Sequence, residues 1–472
     1  MTDPMRATST GDGPAGDGAG GSRAAAGLHA VVVGGGVAGL VAARELARGG
    51  SRVLLLEAAD RLGGEVGRHT VAGIDLDSGA ESFATRGGTV AAYLDELGLA
   101  DDIVLPDGRG AWVHQADGEA FPLPRTGLLG IPGDLSAPDV VRVIGPDAAA
   151  EAARLDRQPP EVGADEVAVG PFVRARMGDA VLDRLVTPIV GGVHSRHPDD
   201  LPLDRVSPGL RTALLREGSL AAAVLSLRAL APAGSAVAGL RGGNARLVDA
   251  LVADLDRLGV EIRLGADVTA LDGASVTVDG ERIVADAVVL AVGDGAGRAL
   301  AGRASSAEGL ITLVTLVVRE PALDAGPRGT GVLVAPGALD VRAKAVTHAT
   351  VKWPWLAELA GGRHVLRLSY DSPVVERTTP DAELRAVAVA DASVLLGVRI
   401  DPEAVDGWAR VAWDAPLAPV PEEACTASVI PLAGVHRIGG AVAGRGLAAV
   451  IAQARATAAA LLAPEGSVPA IR

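Results

Sequence analysis

The chain has 472 residues and a formal net charge of −15, with 49% hydrophobic residues but only 2% aromatic ones. So acidic a chain argues against nucleic-acid binding, which needs a basic face. The single cysteine, Cys425, excludes a disulfide framework, and the histidines show no metal-ligand spacing, so we expect no metal site. Residues 1–27 are rich in Gly, Ala, Asp and Ser, which predicts a disordered tail.

The sequence carries no convincing membrane span. Its most apolar stretch after the glycine motif, residues 219–240, is interrupted by Arg228, Pro232 and Gly234. We therefore expect no transmembrane segment and a cytoplasmic protein, with peripheral contact to a membrane left open.

The first structural signal is a strand, a glycine-rich loop and a helix. Residues 29–33 form an apolar run that predicts a buried parallel strand. Gly34, Gly36 and Gly39 then fit the spacing G-x-G-x-x-G, in which the glycines permit a tight turn, a close approach of phosphate and close helix packing. A helix over 37–48 would direct free N–H groups and its positive dipole end at a diphosphate.

The residues after this helix favour a flavin dinucleotide. Glu57 ends the next predicted strand, 52–56, where a carboxylate accepts both ribose hydroxyls and repels the 2′-phosphate of NADP. A second glycine pair follows in Ala58-Ala59-Asp60-Arg61-Leu62-Gly63-Gly64. NAD enzymes do not need this pair, whereas the ribityl chain of FAD extends beyond the diphosphate. We therefore expect Arg61 to neutralise phosphate and Gly64 to allow backbone near the ribityl chain.

Further elements follow from periodicity and turn residues. We predict helices at 88–97, 170–186 and from Asn244, taken as its N-cap, to Leu258. Residues 112–123 alternate as a hairpin that turns at Asp117-Gly118. Predicted strands at 260–264 and 286–292 return the chain to the opening sheet, so the nucleotide-binding domain is discontinuous. Residues 311–318 and 365–370 are typical of strands in a second sheet.

The next motifs resemble a known group of enzymes. The glycine fingerprint, E-A-x-x-R-x-G-G and then D-x-G-A-E-S-F over 77–83 are similar to the flavin amine oxidase superfamily, and within it to the oxygen-dependent porphyrinogen oxidases of haem synthesis. Ala80 replaces the usual proline, and Glu65 stands where these enzymes usually have Lys or Arg. The resemblance covers about residues 29–462 and implies a cofactor of non-covalent FAD, because Cys425 lacks the context of a flavin-linked cysteine.

The resemblance also implies a domain arrangement. It is an α/β fold with a discontinuous Rossmann-like FAD-binding domain of residues 28–104, 235–300 and 425–472. A helical, membrane-side lobe takes residues 105–234. An α+β substrate-binding domain with a mixed antiparallel sheet takes residues 301–424.

The resemblance assigns further cofactor contacts to residues along the whole chain. The C-terminal element places a helix N-terminus at the flavin edge that gains negative charge on reduction, although Ala448 replaces the family's proline. Together with the residues above, the expected cofactor-binding set includes Gly35, Val37, Ala38, Asp77, Ser78, Gly79, Ala80, Val268, Trp413, Gly440, Gly446 and Leu447.

The substrate side rests on a segment at 187–201. Gly192 matches a glycine that lies near the reacting carbon in the porphyrinogen oxidases, whereas His194-Ser195-Arg196 departs from their aromatic-Ala-Gly. The largest departure is the shortened region 417–435. We expect Arg86, Arg196 and the Lys352 of a K-W-P element to supply cations at the cavity rim, and we take Gly192 and Arg86 as the candidate catalytic residues.

The expected function is oxidation of coproporphyrinogen III to coproporphyrin III with O₂ as the acceptor, in haem biosynthesis. Protoporphyrinogen IX oxidation, flavin amine oxidation and a flavin-binding protein without catalysis are the alternatives. Expected partners are the porphyrinogen, O₂ and enzymes of the haem pathway.

Overall fold

The computed structural model describes residues 27–125, 127–194, 196–229, 237–300, 308–416, 433–444 and 446–463. The predicted tail before Gly27, Ser195, Cys425 and most of the shortened region 417–435 lie outside these residues.

A five-stranded parallel sheet confirms the predicted return of the chain to its first strand. In spatial order its strands are Glu261–Leu264, Arg52–Glu57, His29–Val33, Ala287–Leu290 and Val435–Arg437. Alternate residues of the central strand face opposite layers, because successive side chains of a strand point to opposite faces. Ala30 and Val32 pack with the helices, and Val31 and Val33 pack toward a small antiparallel sheet.

The layers on both faces of this sheet are built from local hydrophobic patterns. The helices of the first layer are Val37–Arg48, Thr89–Glu96, Ala245–Arg257 and Leu447–Leu462. The strands of the second are Val268–Asp272, Ser275–Val278 and Glu281–Val284. The helix 245–257 buries Leu247, Leu251 and Leu255 as predicted, whereas Leu258 lies beyond its end and is exposed.

A seven-stranded mixed sheet forms the second half of the molecule. In spatial order its strands are Val405–Pro416, Glu308–Val318, His364–Asp371, Ala345–His348, Gly331–Val334, Trp112–His114 and Ala120–Pro122. The helix Asp381–Leu396 covers one of its faces, with Leu384, Ala388 and Leu395 buried there. All pairings are antiparallel except that of 331–334 with 112–114.

The hairpin at 112–122 corrects the predicted lobe of 105–234. The hairpin forms as predicted, but it pairs with Gly331–Val334 and so extends the seven-stranded sheet. Alternating residues specify a strand but not which sheet edge completes its backbone hydrogen bonds, so the local pattern could not assign the hairpin.

The remaining lobe is helical, and it corrects a second prediction. The helix predicted over 170–186 ends at Gly178, whose φ of +79° is unfavourable for other residues, and the chain continues through a π-helical turn, Leu182–Val186. The predicted apolar stripe is nevertheless core, since Phe172, Met177 and Leu185 are buried. The helices are Pro138–Ile144, Pro146–Asp156, Val169–Met177, Asp179–Val181, Thr187–His194, Leu203–Val206, Leu210–Glu217 and Leu220–Ala229.

Short elements connect these layers. The strands are Arg68–Val71 and Ile74–Asp77, which form a hairpin, and Phe83–Ala84, Val237–Leu240 and Ile103–Val104, which form a small sheet. The remaining helical segments are Ala100–Asp102, Pro198–Asp200, Asp294–Leu300, Pro321–Leu323, Ala349–Lys352, Pro354–Ala360, Pro402–Ala404 and Gly440–Ala443.

Two histidines join neighbouring strands inside the second half. Nε2 of His348 lies 3.1 Å from Nδ1 of His364, and Nε2 of His364 lies 3.0 Å from a carboxylate oxygen of Asp324. Burial, followed by the charges of His364 and Arg109, lowers the pKa of His348 to about 3. The folded protein therefore holds this imidazole neutral where an unfolded histidine is partly protonated.

Acidification should destabilise the fold through His348. Its folded pKa lies below the unfolded value of about 6.5, so the unfolded chain binds more protons and the free energy of unfolding falls as the pH drops below that value. In His348→Gln the free energy of unfolding should change less steeply with pH than in the wild type, by up to about 1.4 kcal/mol per pH unit. Denaturant unfolding of both proteins between about pH 7 and pH 5 measures the difference. Identical slopes would show that His348 does not remain neutral in the folded state.

Candidate functional site

The glycine loop, residues 34–36, meets the steric requirements of an anion-binding turn. Gly34 has a φ of +103°, and a Cβ added at Gly39 would lie only 1.9 Å from the Gly34 carbonyl oxygen. A Cβ added at Gly36 would meet no atom of the described residues within 4 Å. Gly36 precedes Val37 and Ala38, and no side chain of the described residues caps this helix start. The N–H groups of the first turn are thus available to a phosphate.

Glu57 holds the glycine loop in place. Its Oε2 accepts the N–H of Gly35 at 2.6 Å, and its Oε1 accepts that of Ala59 at 2.8 Å. Each carboxylate oxygen keeps a second acceptor site, so these bonds leave room for ribose hydroxyls. The predicted ribose acceptor therefore also fixes the loop, a role that the sequence did not indicate.

Two further loops continue the surface that the glycine loop begins. Gly63 donates its N–H to the Gly35 carbonyl at 2.9 Å. From the next loop, the backbone N–H of Ser78 donates to the Gly67 carbonyl at 2.8 Å, and that of Ala80 donates to the Glu65 carbonyl at 3.0 Å. We call the surface lined by residues 34–36, 63–67 and 78–80 the backbone strip. It extends well beyond one helix N-terminus, as an elongated dinucleotide requires.

Close backbone approach at the strip depends on glycine. A Cβ at Gly79 would lie 2.0 Å from the Glu65 carbonyl oxygen, and one at Gly64 would lie 3.3 Å from Cα of Gly36. A Cβ at Gly67 would lie 2.4 Å from Nη1 of Arg61 and 2.8 Å from Oγ of Ser78. Arg61 and Ser78 thus flank the strip together.

The strip also presents an unsatisfied polar atom. The Ser78 hydroxyl is buried and has no hydrogen-bond partner among the described residues. A buried polar atom without a partner is costly, so a hydrogen-bonding ligand at this point would stabilise it. The residues therefore fit an extended phosphate-containing cofactor.

Asp77 has a structural role. Its carboxylate accepts the N–H groups of Asn244 at 3.0 Å and Ala245 at 3.1 Å, and so caps the helix Ala245–Arg257. Asn244 occupies the predicted N-cap position, but its side chain donates to the Ala80 carbonyl at 3.1 Å instead. Burial raises the pKa of Asp77, and its two backbone hydrogen bonds oppose that shift. The capping group comes from a distant strand, which local sequence could not reveal.

The other predicted cofactor residues lie around the same sheet. Gly440 directly follows Gly439. A Cβ added at Gly439 would lie 3.4 Å from Cβ of Ala38, so this turn lies next to the start of the helix Val37–Arg48. Gly446, with a φ of +109°, precedes Leu447, which begins the long C-terminal helix and is buried. Val268 is buried in the small antiparallel sheet. Just before it in the chain, the N–H of Gly265 donates to the Ala59 carbonyl at 2.9 Å. Ala58, the neighbour of Ala59, is exposed.

The seven-stranded sheet presents an open face opposite its helix-covered one. Strand register places on this face Ile311 beside Trp413, and Leu313 beside Ser369. We call this face the floor; its partly exposed residues include Ile311, Leu313, Leu333, Ala345, Thr347, Ser369, Asp371, Val411 and Trp413. The intervening Val314, Leu366 and Leu368 are fully buried against the helix. The floor is thus a mainly apolar surface that is only partly covered.

Two predicted residues lie on or beside the floor. A Cβ at Gly192 would lie 2.7 Å from Cδ2 of Leu333, so a side chain there would collide with the floor. The indole N–H of Trp413 is buried without a partner among the described residues. The helix Thr187–His194 therefore brings Gly192 over the sheet.

The predicted cations separate into two groups. Arg86 is exposed, and its guanidinium donates to the Pro208 carbonyl at 3.0 Å. This bond joins the flavin-motif segment, residues 77–86, to the helical lobe. Lys352 is not a rim cation, because its Nζ lies 2.7 Å from Oε1 of Glu81 and both side chains are largely buried. Arg196 follows the helix that carries Gly192.

Sequence reasoning missed the roles of Glu81 and Arg367. Arg367 Nη1 lies 2.8 Å from the second carboxylate oxygen of Glu81, and its Nη2 donates to the Gly79 carbonyl at 2.7 Å. Burial raises the pKa of Glu81, but the charges of Lys352 and Arg367 outweigh it and lower that pKa to about 2. The sequence offered only the position of Glu81 within the motif at 77–83, since Arg367 lies in a predicted strand, 365–370, and in no motif.

Within the described residues, no helix combines the length and apolar character needed to cross a bilayer.

Comparisons with known proteins agree with this geometry. Residues 37–317 match the family described as flavin containing amine oxidoreductase. Coproporphyrinogen III oxidase of Propionibacterium freudenreichii is 30% identical over 431 residues, which cover 79% of this chain and 78% of that protein. Coproporphyrinogen III oxidase of Mycobacterium bovis is 33% identical over 396 residues, with 79% and 83% covered.

A solved structure shows the same fold. A protein of Exiguobacterium sp. 255-15, provisionally described as a protoporphyrinogen oxidase, superimposes with a TM-score of 0.79 at 24% identity, covering 92% of this chain and 98% of that one. The chain belongs to the flavin containing amine oxidoreductase family. It is a flavin-dependent oxidoreductase.

Replacing Glu57 should weaken cofactor binding. In Glu57→Ala the affinity of the apoprotein for FAD, the flavin nucleotide expected from the sequence, should fall by about 1–3 kcal/mol. The variant loses the carboxylate that holds the glycine loop and that is expected to accept the ribose hydroxyls. Titration of apoprotein with FAD, followed by quenching of flavin fluorescence, measures the change. Glu261→Ala, on the edge strand of the same sheet, is the control and should bind like the wild type. Unchanged affinity in Glu57→Ala would remove Glu57 from the cofactor site.

Proposed function

We propose that this chain is an FAD-dependent oxidase that converts coproporphyrinogen III to coproporphyrin III with O₂ as the electron acceptor. The observation that carries the proposal is the open floor of the seven-stranded sheet, faced by Gly192 and joined to the backbone strip through Glu81. A flat macrocycle suits such a surface, since it offers two broad faces and little depth. The names of the relatives at 30–33% identity support this substrate class.

The cofactor in this proposal is FAD, held without a covalent bond. The backbone strip continues past the glycine loop to Ala80, which suits a cofactor longer than its diphosphate. Glu57 would accept the ribose hydroxyls, Arg61 would face phosphate, and Ser78 would find the partner that it lacks. The sequence around Cys425 does not match that of a flavin-linked cysteine.

Bound FAD would accept hydride equivalents from the substrate and pass the electrons to O₂, with three O₂ reduced to three H₂O₂ for the six electrons removed. The residues of the chain supply placement. The floor would support one face of the macrocycle and exclude water from it. Gly192 lies next to Leu333 of the floor, and the lack of a side chain there would avoid obstructing the reacting carbon. The uncapped start of the helix Leu447–Leu462 would stabilise negative charge on the cofactor.

The choice of coproporphyrinogen rests on charge. This substrate carries four propionates, whereas protoporphyrinogen IX carries two propionates and two vinyl groups. Arg86 is exposed between the flavin-motif segment and the lobe, where its guanidinium could bind a carboxylate by two hydrogen bonds. With Lys352 committed to Glu81, Arg86 and Arg196 are the remaining cations proposed for the rim. The protein would act in the cytoplasm, alongside other enzymes of haem synthesis.

The substrate assignment is tested by turnover of both porphyrinogens. Wild-type holoprotein should oxidise coproporphyrinogen III in air with a higher kcat/KM than protoporphyrinogen IX, as measured by porphyrin fluorescence. In Arg86→Ala, kcat/KM for coproporphyrinogen should fall about tenfold or more, the scale of one lost charge-assisted hydrogen bond, and less for protoporphyrinogen.

Arg154→Ala is the matched control, because Arg154 is an exposed arginine paired to Glu151 on the outer surface of the lobe. It should leave both rates unchanged. A wild type that prefers protoporphyrinogen, or an Arg86→Ala variant impaired equally on both substrates, would contradict the tetracarboxylate assignment. Turnover of amines without turnover of either porphyrinogen would replace the proposal with amine oxidation.

A further inference from the structure

The loop 77–81 is held by groups from the seven-stranded half of the molecule. Glu81 receives Nζ of Lys352 at 2.7 Å on one carboxylate oxygen and Nη1 of Arg367 at 2.8 Å on the other. Lys352 ends the short helix Ala349–Lys352, which directly follows a strand of the sheet, and Arg367 lies within the strand His364–Asp371. Both cations therefore belong to neighbouring elements of the seven-stranded half.

Burial makes this cluster sensitive to the loss of any member. The side chains of Glu81, Lys352 and Arg367 are 15%, 16% and 9% exposed. Removing one partner of a buried ion pair leaves the other charge poorly solvated, and that costs more than the pair itself contributed. Because Lys352 and Arg367 bind separate oxygens of Glu81, the carboxylate cannot rotate without losing one of them.

Arg367 transmits this constraint to the backbone. Its second terminal nitrogen donates to the Gly79 carbonyl at 2.7 Å, so the same guanidinium fixes both the carboxylate and the peptide that begins at Gly79. The N–H of that peptide belongs to Ala80 and donates to the Glu65 carbonyl at 3.0 Å. The orientation of the Gly79–Ala80 peptide, at the end of the backbone strip, is thus set from both sides.

We propose that Lys352, Glu81 and Arg367 are positioning residues for the flavin: they hold the Gly79–Ala80 backbone in the orientation that binds it. The seven-stranded half then controls flavin affinity through side chains that need not touch the cofactor. This inference rests on the flavin site alone and is independent of which porphyrinogen, if any, is the substrate.

The test compares flavin affinity among variants of the full chain. FAD is titrated into apoprotein of the wild type, Lys352→Met, Glu81→Gln and the double variant, with flavin fluorescence and visible circular dichroism as readouts. Each single variant should bind FAD about tenfold more weakly or worse, and the double variant should be no weaker than the poorer single one. Lys352→Arg keeps the charge and should restore most of the affinity.

Lys344→Met is the matched control. Lys344 is the chain's other lysine and lies 2.6 Å from Asp371 in the same half of the molecule, but it makes no described contact with Glu81. Its FAD affinity should stay within about twofold of the wild type. Glu81→Gln preserves the shape of the side chain, so it remains informative if Lys352→Met fails to fold.

Two results would overturn the positioning role. In the first, Lys352→Met and Glu81→Gln bind FAD as tightly as the wild type. In the second, their losses add in the double variant or equal that of Lys344→Met, which would indicate general destabilisation. A wild type that binds no FAD would instead overturn the flavin site itself. Absence of porphyrinogen turnover with intact FAD binding would count only against the proposed substrate.

Discussion

A single buried carboxylate, Glu81, ties the parallel sheet's loops to the seven-stranded sheet. Its two oxygens receive cations from two different elements of the second half, and the same arginine fixes the backbone just before it. An ionised carboxylate in such surroundings must keep both partners, because desolvation without pairing is severely unfavourable. This requirement acts together with the hydrophobic cluster that packs Ile74 and Leu76 against Trp353, and both hold the backbone strip next to the seven-stranded half.

Because of that arrangement, the two halves of the molecule contribute different kinds of chemical group to the candidate site. The parallel-sheet half contributes mostly backbone: glycines, peptide N–H groups and uncapped helix starts, which suit phosphates and a planar ring. The seven-stranded half contributes side chains on an open, mainly apolar face. The lobe adds Gly192, a residue without a side chain, next to Leu333 of that face. Under the proposed function, the cofactor and the substrate would therefore bind to separate but adjacent surfaces.

Features with a local cause could be predicted from the sequence. The glycine loop, its helix and Glu57 follow from spacing within one βαβ unit, and the parallel sheet follows from the apolar strands at 29–33 and 286–292. The hairpin at 112–123 follows from alternation and an Asp-Gly turn. The hairpin was predicted to belong to the helical lobe, but it extends the seven-stranded sheet. Alternation could not reveal this, because strand pairing depends on which sheet edge is free.

Features with a distant partner could not be predicted. Lys352 and Glu81 belong to motifs far apart in the chain, so the sequence predicted Lys352 at the cavity rim and gave no sign of its pairing with Glu81. Asp77 and Asn244 show the same effect, since the cap of one helix comes from a strand elsewhere. Ala80 is instructive, because the sequence marked it as a departure from the proline of similar enzymes. The structure shows that its N–H donates to the Glu65 carbonyl, a bond that proline cannot make.

Whether the backbone strip and the floor form one redox site is tested most directly by mixing the holoprotein with coproporphyrinogen III without oxygen. The flavin absorbance should be lost on mixing and should return when air is admitted. Gly192→Leu holoprotein should keep its flavin spectrum but resist bleaching, because the added side chain blocks the floor. A wild-type flavin that stays oxidised, or bleaching of Gly192→Leu at the wild-type rate, would contradict the account.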